Sequence, residues 1–165
     1  MSGFARHAAR DAALAAAALA LWSLDARLRG ATGALPALVA VATGALTALA
    51  GYLAHDWGHL AGAGLARARV HPPLRLTDPF LFRFDADRNG RREFAAMSLG
   101  GFAASTAVVA ALLAWLPQGA LASRVALGLT AAGVVATLVL EIPPFVRVLR
   151  GAPIPRGGAY ASDAA

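Results

Sequence analysis

The sequence predicts an all-α, polytopic membrane protein with four transmembrane helices. Three observations carry that reading. The chain has 165 residues, 58% hydrophobic and only 15% charged, with a mean hydropathy of +0.59, whereas soluble domains carry about 25% charge. The apolar residues gather into long uncharged runs that lack the polar stripe a soluble bundle needs. The arginines sit mainly between those runs.

The elements follow in order. The first run, Ala12–Leu24, reads "AALAAAALALWSL". Extended over 8–28 it is long enough to span, with Arg6, Arg10, Arg27 and Arg29 at its ends. A basic start before a short apolar core also resembles a signal peptide, but no small-x-small cleavage site follows at once. The second span covers 32–54, inside the uncharged stretch Ala31–Ala54. The third covers 95–116 and stops where Pro117 and Gly119 favour a turn. The fourth covers 121–146, interrupted by Glu141 and by Pro143-Pro144, which removes backbone donors and kinks the helix. A loop over 60–94 joins the second and third spans. The Gly/Pro/Ala-rich segment 151–165 reads as a flexible tail.

Charge sets orientation and excludes some functions. Every basic residue is Arg, the formal net charge is +6, and there is no cysteine, so thiolate and disulfide chemistry are absent. The N-terminus carries Arg6 and Arg10. The central loop carries Arg67, Arg69, Arg75, Arg83, Arg88, Arg91 and Arg92, and the tail Arg147, Arg150 and Arg156. The opposite side has Arg27, Arg29 and Arg124. The positive-inside rule places both termini and the long loop in the cytoplasm. Arginines in that arrangement fit anionic lipid headgroups and not nucleic acid. Trp22, Trp57 and Trp115 lie near helix ends, as an interfacial aromatic belt requires.

The main chemical signal is "HDWGH", residues 55–59, at the cytoplasmic end of the second span. His55 and His59 are one helical turn apart on one face, where two imidazoles can grip one metal ion. Asp56 points about 100° away and can act on a bound water. The pattern is the Asp form of H-E-x-x-H. Glu141 is an ionisable residue in an apolar helix, hence a functional candidate. Its depth matches that of His55 and His59, so the three can form a two-His-one-carboxylate set suited to zinc or iron.

The same stretch resembles two families. "HDWGH" is similar to the first histidine box of membrane fatty-acid desaturases, whose front-end members carry H-D-x-G-H after a membrane helix. That resemblance implies iron on His55 and His59. Desaturases need further histidine clusters, and this chain has only His7 and His71 besides, so a complete desaturase is excluded. "HDWGHLAGA" also looks like the H-E-x-G-H helix of site-2 intramembrane metalloproteases, and "SLGGFAAS" loosely resembles their small-residue helix. Their third ligand is an Asp on a later helix, for which Glu141 is the nearest stand-in. Neither likeness extends to the full length.

Three lesser features complete the reading. In "FDADRNGRREF", Asp85, Asp87, Asn89 and Gly90 match a calcium loop, but position 12 is Ala96 and Arg88, Arg91 and Arg92 repel a dication. His71, on a Pro-fixed loop, reads as an exposed loop histidine. "LTDPFLFRF" resembles a short interfacial helix capped by Thr77 or Asp78 with Pro79 in its first turn, although Phe80, Phe82 and Phe84 alternate instead of following a helical period. Ser98, Gly100, Gly101, Ala103, Ala104 and Ser105 allow close helix packing, internally or with a second copy or a partner membrane protein. The expected function is a small membrane metalloenzyme acting on lipid or membrane peptide, with Asp56 and Glu141 in catalysis. The alternatives are a non-enzymatic membrane subunit or, more weakly, part of a transporter, in which only Glu141 would line a path.

Overall fold

The computed structural model describes residues 3–73, 75–78 and 80–161. The chain is mostly helical. Helix α1 is Gly3–Leu28, α2 is Ala34–Leu65, α3 is Arg91–Trp115, α4 is Leu121–Leu140 and α5 is Ile142–Leu149. Three short strands, β1 (Val70–His71), β2 (Arg83–Asp85) and β3 (Tyr160–Ala161), complete the described residues.

Three of these rods are long and apolar enough to cross a membrane: Ala34–Leu65, Arg91–Trp115 and Leu121–Leu149. Helix α2 is the longest. Its 32 residues make about 48 Å at 1.5 Å per residue, well beyond the ~30 Å hydrocarbon core of a bilayer. The expected end at residue 54 is overrun, and the helix continues to Leu65. It stops where Arg67 turns into the left-handed region at φ 57. The Ala68 amide then donates to the Ala63 carbonyl (2.8 Å) and the Arg67 amide to that of Gly64 (3.0 Å), the paired bonds of a Schellman ending. What carries α2 past residue 54 is its packing on α3.

That packing depends on glycine. Gly58 and Gly62, one turn apart on α2, face Gly100 on α3, and a Cβ on any of the three would collide with the opposite backbone. This is the small-xxx-small contact by which membrane helices approach closely. Helix α2 is the centre of the bundle: α1, α3 and α4 all pack on it, while α3 and α4 touch each other only sparsely. Two tryptophans fasten α1 to α2. Trp22 Nε1 donates to Thr47 Oγ1 and Trp57 Nε1 to Asp11 Oδ2, both at 2.9 Å.

The loop between α2 and α3 folds back on one end of the bundle. The antiparallel pair β1–β2 is extended by β3, parallel to β2, with Phe84 opposite Tyr160. β3 lies within the segment expected to be a flexible tail; residues 162–165 lie outside the described residues. The interfacial helix expected near 76–84 is absent from the described residues there, and Pro79 is not among them. The alternating phenylalanines mark an extended run instead, ending in β2, with Phe82 and Phe84 buried. With Leu81, Phe94, Met97, Val148 and Ala63 they form the aromatic core of this end.

The calcium-like residues brace this cap. Asn89 exchanges two hydrogen bonds with the Arg69 backbone, Asp87 pairs with Arg156, and Glu93 accepts from the Gly90 amide to cap α3. Asp85 accepts from the amides of Arg88 and Asp87 and faces His71 Nε2 at 3.2 Å. These side chains turn to separate partners and do not converge on a cation.

Candidate metal centre

Pro143 and Pro144 build one half of the site. Neither has an N–H to give to the preceding turn, so α4 ends at Leu140 and α5 restarts at Ile142. Glu141 stands at the break, where its side chain points across to α2.

There it meets both histidines. Glu141 Oε1 lies 3.2 Å from His55 Nε2, and Oε2 lies 3.3 Å from His59 Nε2. The two Nε2 atoms are 2.9 Å apart, with ring planes at 84°. The three residues expected from sequence to share a depth therefore share a site. One ligand atom from each lies within 4.8 Å of the others.

The opposite ring nitrogens fix the tautomers. His59 Nδ1–H donates to the Met97 carbonyl at 2.9 Å. His55 Nδ1–H lies between the Gly101 carbonyl (3.1 Å) and Ser105 Oγ (2.8 Å). A carbonyl only accepts, so each Nδ1 holds a proton, and each Nε2 faces the Glu141 carboxylate, to which it offers either a second proton or, around an ion, a lone pair. Two lone pairs and a carboxylate converging at about 3 Å repel one another unless a positive charge sits among them. Metal-bound histidines are oriented in this way, the second ring N–H held by a carbonyl. The spacings suit a small ion. Ligands at ~2.05 Å are about 3.3 Å apart in a tetrahedron and about 2.9 Å apart at a right angle.

Gly101 makes the arrangement possible. A Cβ there would run into the His59 ring, so α3 must offer a bare backbone at that point. Sequence reading took Gly101 only as a packing residue. Its specific role is legible only once the helices are placed together.

Asp56 stands beside the triad and is not part of it. It lines the adjoining cavity, and its carboxylate accepts a hydrogen bond from Tyr52. Sequence reading missed Tyr52; the available signal was its position one turn before Asp56 on the same helix. Tyr160 closes the cavity from the cap. Burial, then the negative charge of Glu141, pushes its phenol above the usual range, so it stays protonated. His71 belongs to the cap, paired with Asp85, and not to the site.

The three residues that could hold an ion line the adjoining cavity. The chain was compared with known protein families, with curated proteins and with solved structures, and nothing matches it.

Proposed function

We propose that this chain is a four-span membrane metalloenzyme whose His55, His59 and Glu141 hold a zinc or iron ion, with the site at the cytoplasmic edge of the bilayer. One observation supports the reading: both Nδ1–H groups are anchored on α3, so the two Nε2 atoms and a carboxylate converge at a point where an ion fits. The bound ion would polarise a substrate group or acidify a water at its open position. Asp56, hydrogen-bonded to Tyr52 in the adjoining cavity, is the base that receives the proton.

Helix α1 serves as the fourth span. Its uncharged centre is flanked by Arg10 with Asp11 and by Asp25 with Arg29, each paired, which suits the two interfaces. The arginine-rich loop, Gly3 and β3 lie at the end of the bundle that carries the triad, in keeping with a cytoplasmic side. The alternative reading, a partner-binding subunit, is weakened because the small residues Gly100 and Gly101 of α3 already pack against α2.

The test is direct. The protein is purified in detergent and its metal measured by mass spectrometry, in wild type, in His55→Ala/His59→Ala and in Glu141→Gln. Stoichiometric zinc or iron is expected in wild type and its loss in the double variant. A metal-free wild type would sink the reading, since a shared proton would then hold the cluster together.

A further inference from the structure

The triad opens into a cavity of about 460 Å³, within the ~300–1,000 Å³ of small-molecule sites. The ionisable groups Tyr52, Asp56 and the triad lie between the aromatic cap side chains Phe80, Phe84 and Phe94 and a longer, largely apolar wall in which Thr130 is polar. From there the wall runs away from the cap along Ala48, Val108, Val109, Leu129, Gly133 and Val134. Each lies one or more turns from the site toward the far end of its helix. Because α3 and α4 pack on α2 but scarcely on each other, the cavity's outer side is a slot between them. That slot lies within the segments apolar enough to cross the membrane, so it faces acyl chains.

We propose that the cavity takes a single acyl chain of a membrane lipid, which enters sideways between α3 and α4 and brings its polar end to the triad. The proposal rests on the metal-site reading, whose substrate class it names. A largely apolar wall leading away from one cluster of ionisable groups matches an amphiphile lying along the membrane normal. A peptide fits less well. A helix ~10 Å across fills about 420 Å³ per turn, so the cavity would admit about one turn. An unwound peptide would leave N–H and C=O groups against an apolar wall with no partners.

Gly133 supplies the test. A Cβ there meets nothing within 4 Å, so Gly133→Leu extends into the slot without displacing protein, and Leu is the better helix former. Wild type and G133L are reconstituted in vesicles containing a phosphatidylcholine with a diazirine on its acyl chain. After photolysis the labelled positions are mapped by mass spectrometry, and metal is measured on the same samples. Label is expected at Val108 and Val134 in wild type, both of which line the cavity. It should fall about tenfold in G133L, the effect of a misfit of ~1.4 kcal/mol. Label at the outward-facing Leu38 and Val139, 66% and 64% exposed, should not change. Absence of label at Val108 and Val134, or equal label in both proteins, overturns the proposal. So does label there from a diazirine-bearing transmembrane peptide in place of the lipid. Cavity labelling without metal would overturn the metal reading alone; metal without cavity labelling would overturn this one alone.

Discussion

The two ends of the bundle are held together by different side chains. At the capped end the buried residues are large: Phe82, Phe84, Phe94, Met97 and Val148. At the far end they are small: Ala18, Ala40, Thr43, Ala122, Ser123 and Ala126. Around them large apolar side chains point outward, among them Leu35, Leu38 and Leu113 at 58–66% exposed. In water, burying a phenylalanine is itself the driving force. Among lipid tails that force vanishes, and close backbone approach with dispersion takes over. The change of core composition along α2 thus marks where water gives way to lipid. The triad sits at that boundary, next to the aromatic cap.

The sharpest way to break this comparison is to truncate one apolar residue from each region. Phe84, 1% exposed, packs edge-on against Phe94 and Tyr160. Phe84→Ala should cost ~3–5 kcal/mol, read as a large fall in unfolding midpoint in detergent. Leu38→Ala removes an outward apolar side chain at the far end and should stay within ~0.5 kcal/mol. Comparable losses from the two substitutions would mean that both ends are built alike.

A smaller effect tests the junction itself. Gly101→Ala places a methyl group where the His59 ring lies. The ring must turn, and its Nδ1 bond to Met97 is lost with it. Disturbing the group that orients a metal ligand typically costs about 10–100-fold in affinity. Metal titration of G101A should show that loss, with the helical circular dichroism retained. Unchanged affinity would detach Gly101 from the site.

These residues also show how far the sequence could be read. The apolar runs were legible because a bilayer demands uninterrupted hydrophobic length. The triad was legible because His55 and His59 share a helix face and Glu141 stands at a matching depth. Other features depend on tertiary contact. Gly58 and Gly62 look like helix-ending residues, yet they are what lets α2 lie against α3 beyond residue 54. The strands are two or three residues long, too short to show a period. The role of Gly101 as room for an imidazole requires knowing which helix stands opposite.

The mildest prediction concerns the cap alone. Burial would raise the Asp85 carboxyl, but the Arg88 amide, the His71 imidazole, the Asp87 amide and the Arg88 guanidinium together hold it below the usual range. A carboxyl with a depressed folded-state pKa stabilises above its unfolded value, ~3.9. That stability is lost as pH falls through the lower, folded value. Hydrogen exchange at the amides of Phe84, Ala86 and Asn89 should therefore accelerate, beyond its intrinsic pH dependence, as pH drops below about 4. In Asp85→Asn exchange should be faster at neutral pH and lack the added acid step. Ala122 and Ala126, where α4 packs against Gly44 of α2 through small side chains and backbone, should show no step in either protein. An acid step that reaches α4 at Ala122 and Ala126 would show that the cap and the lipid-facing bundle unfold as one unit, and the boundary drawn along α2 would lose its meaning.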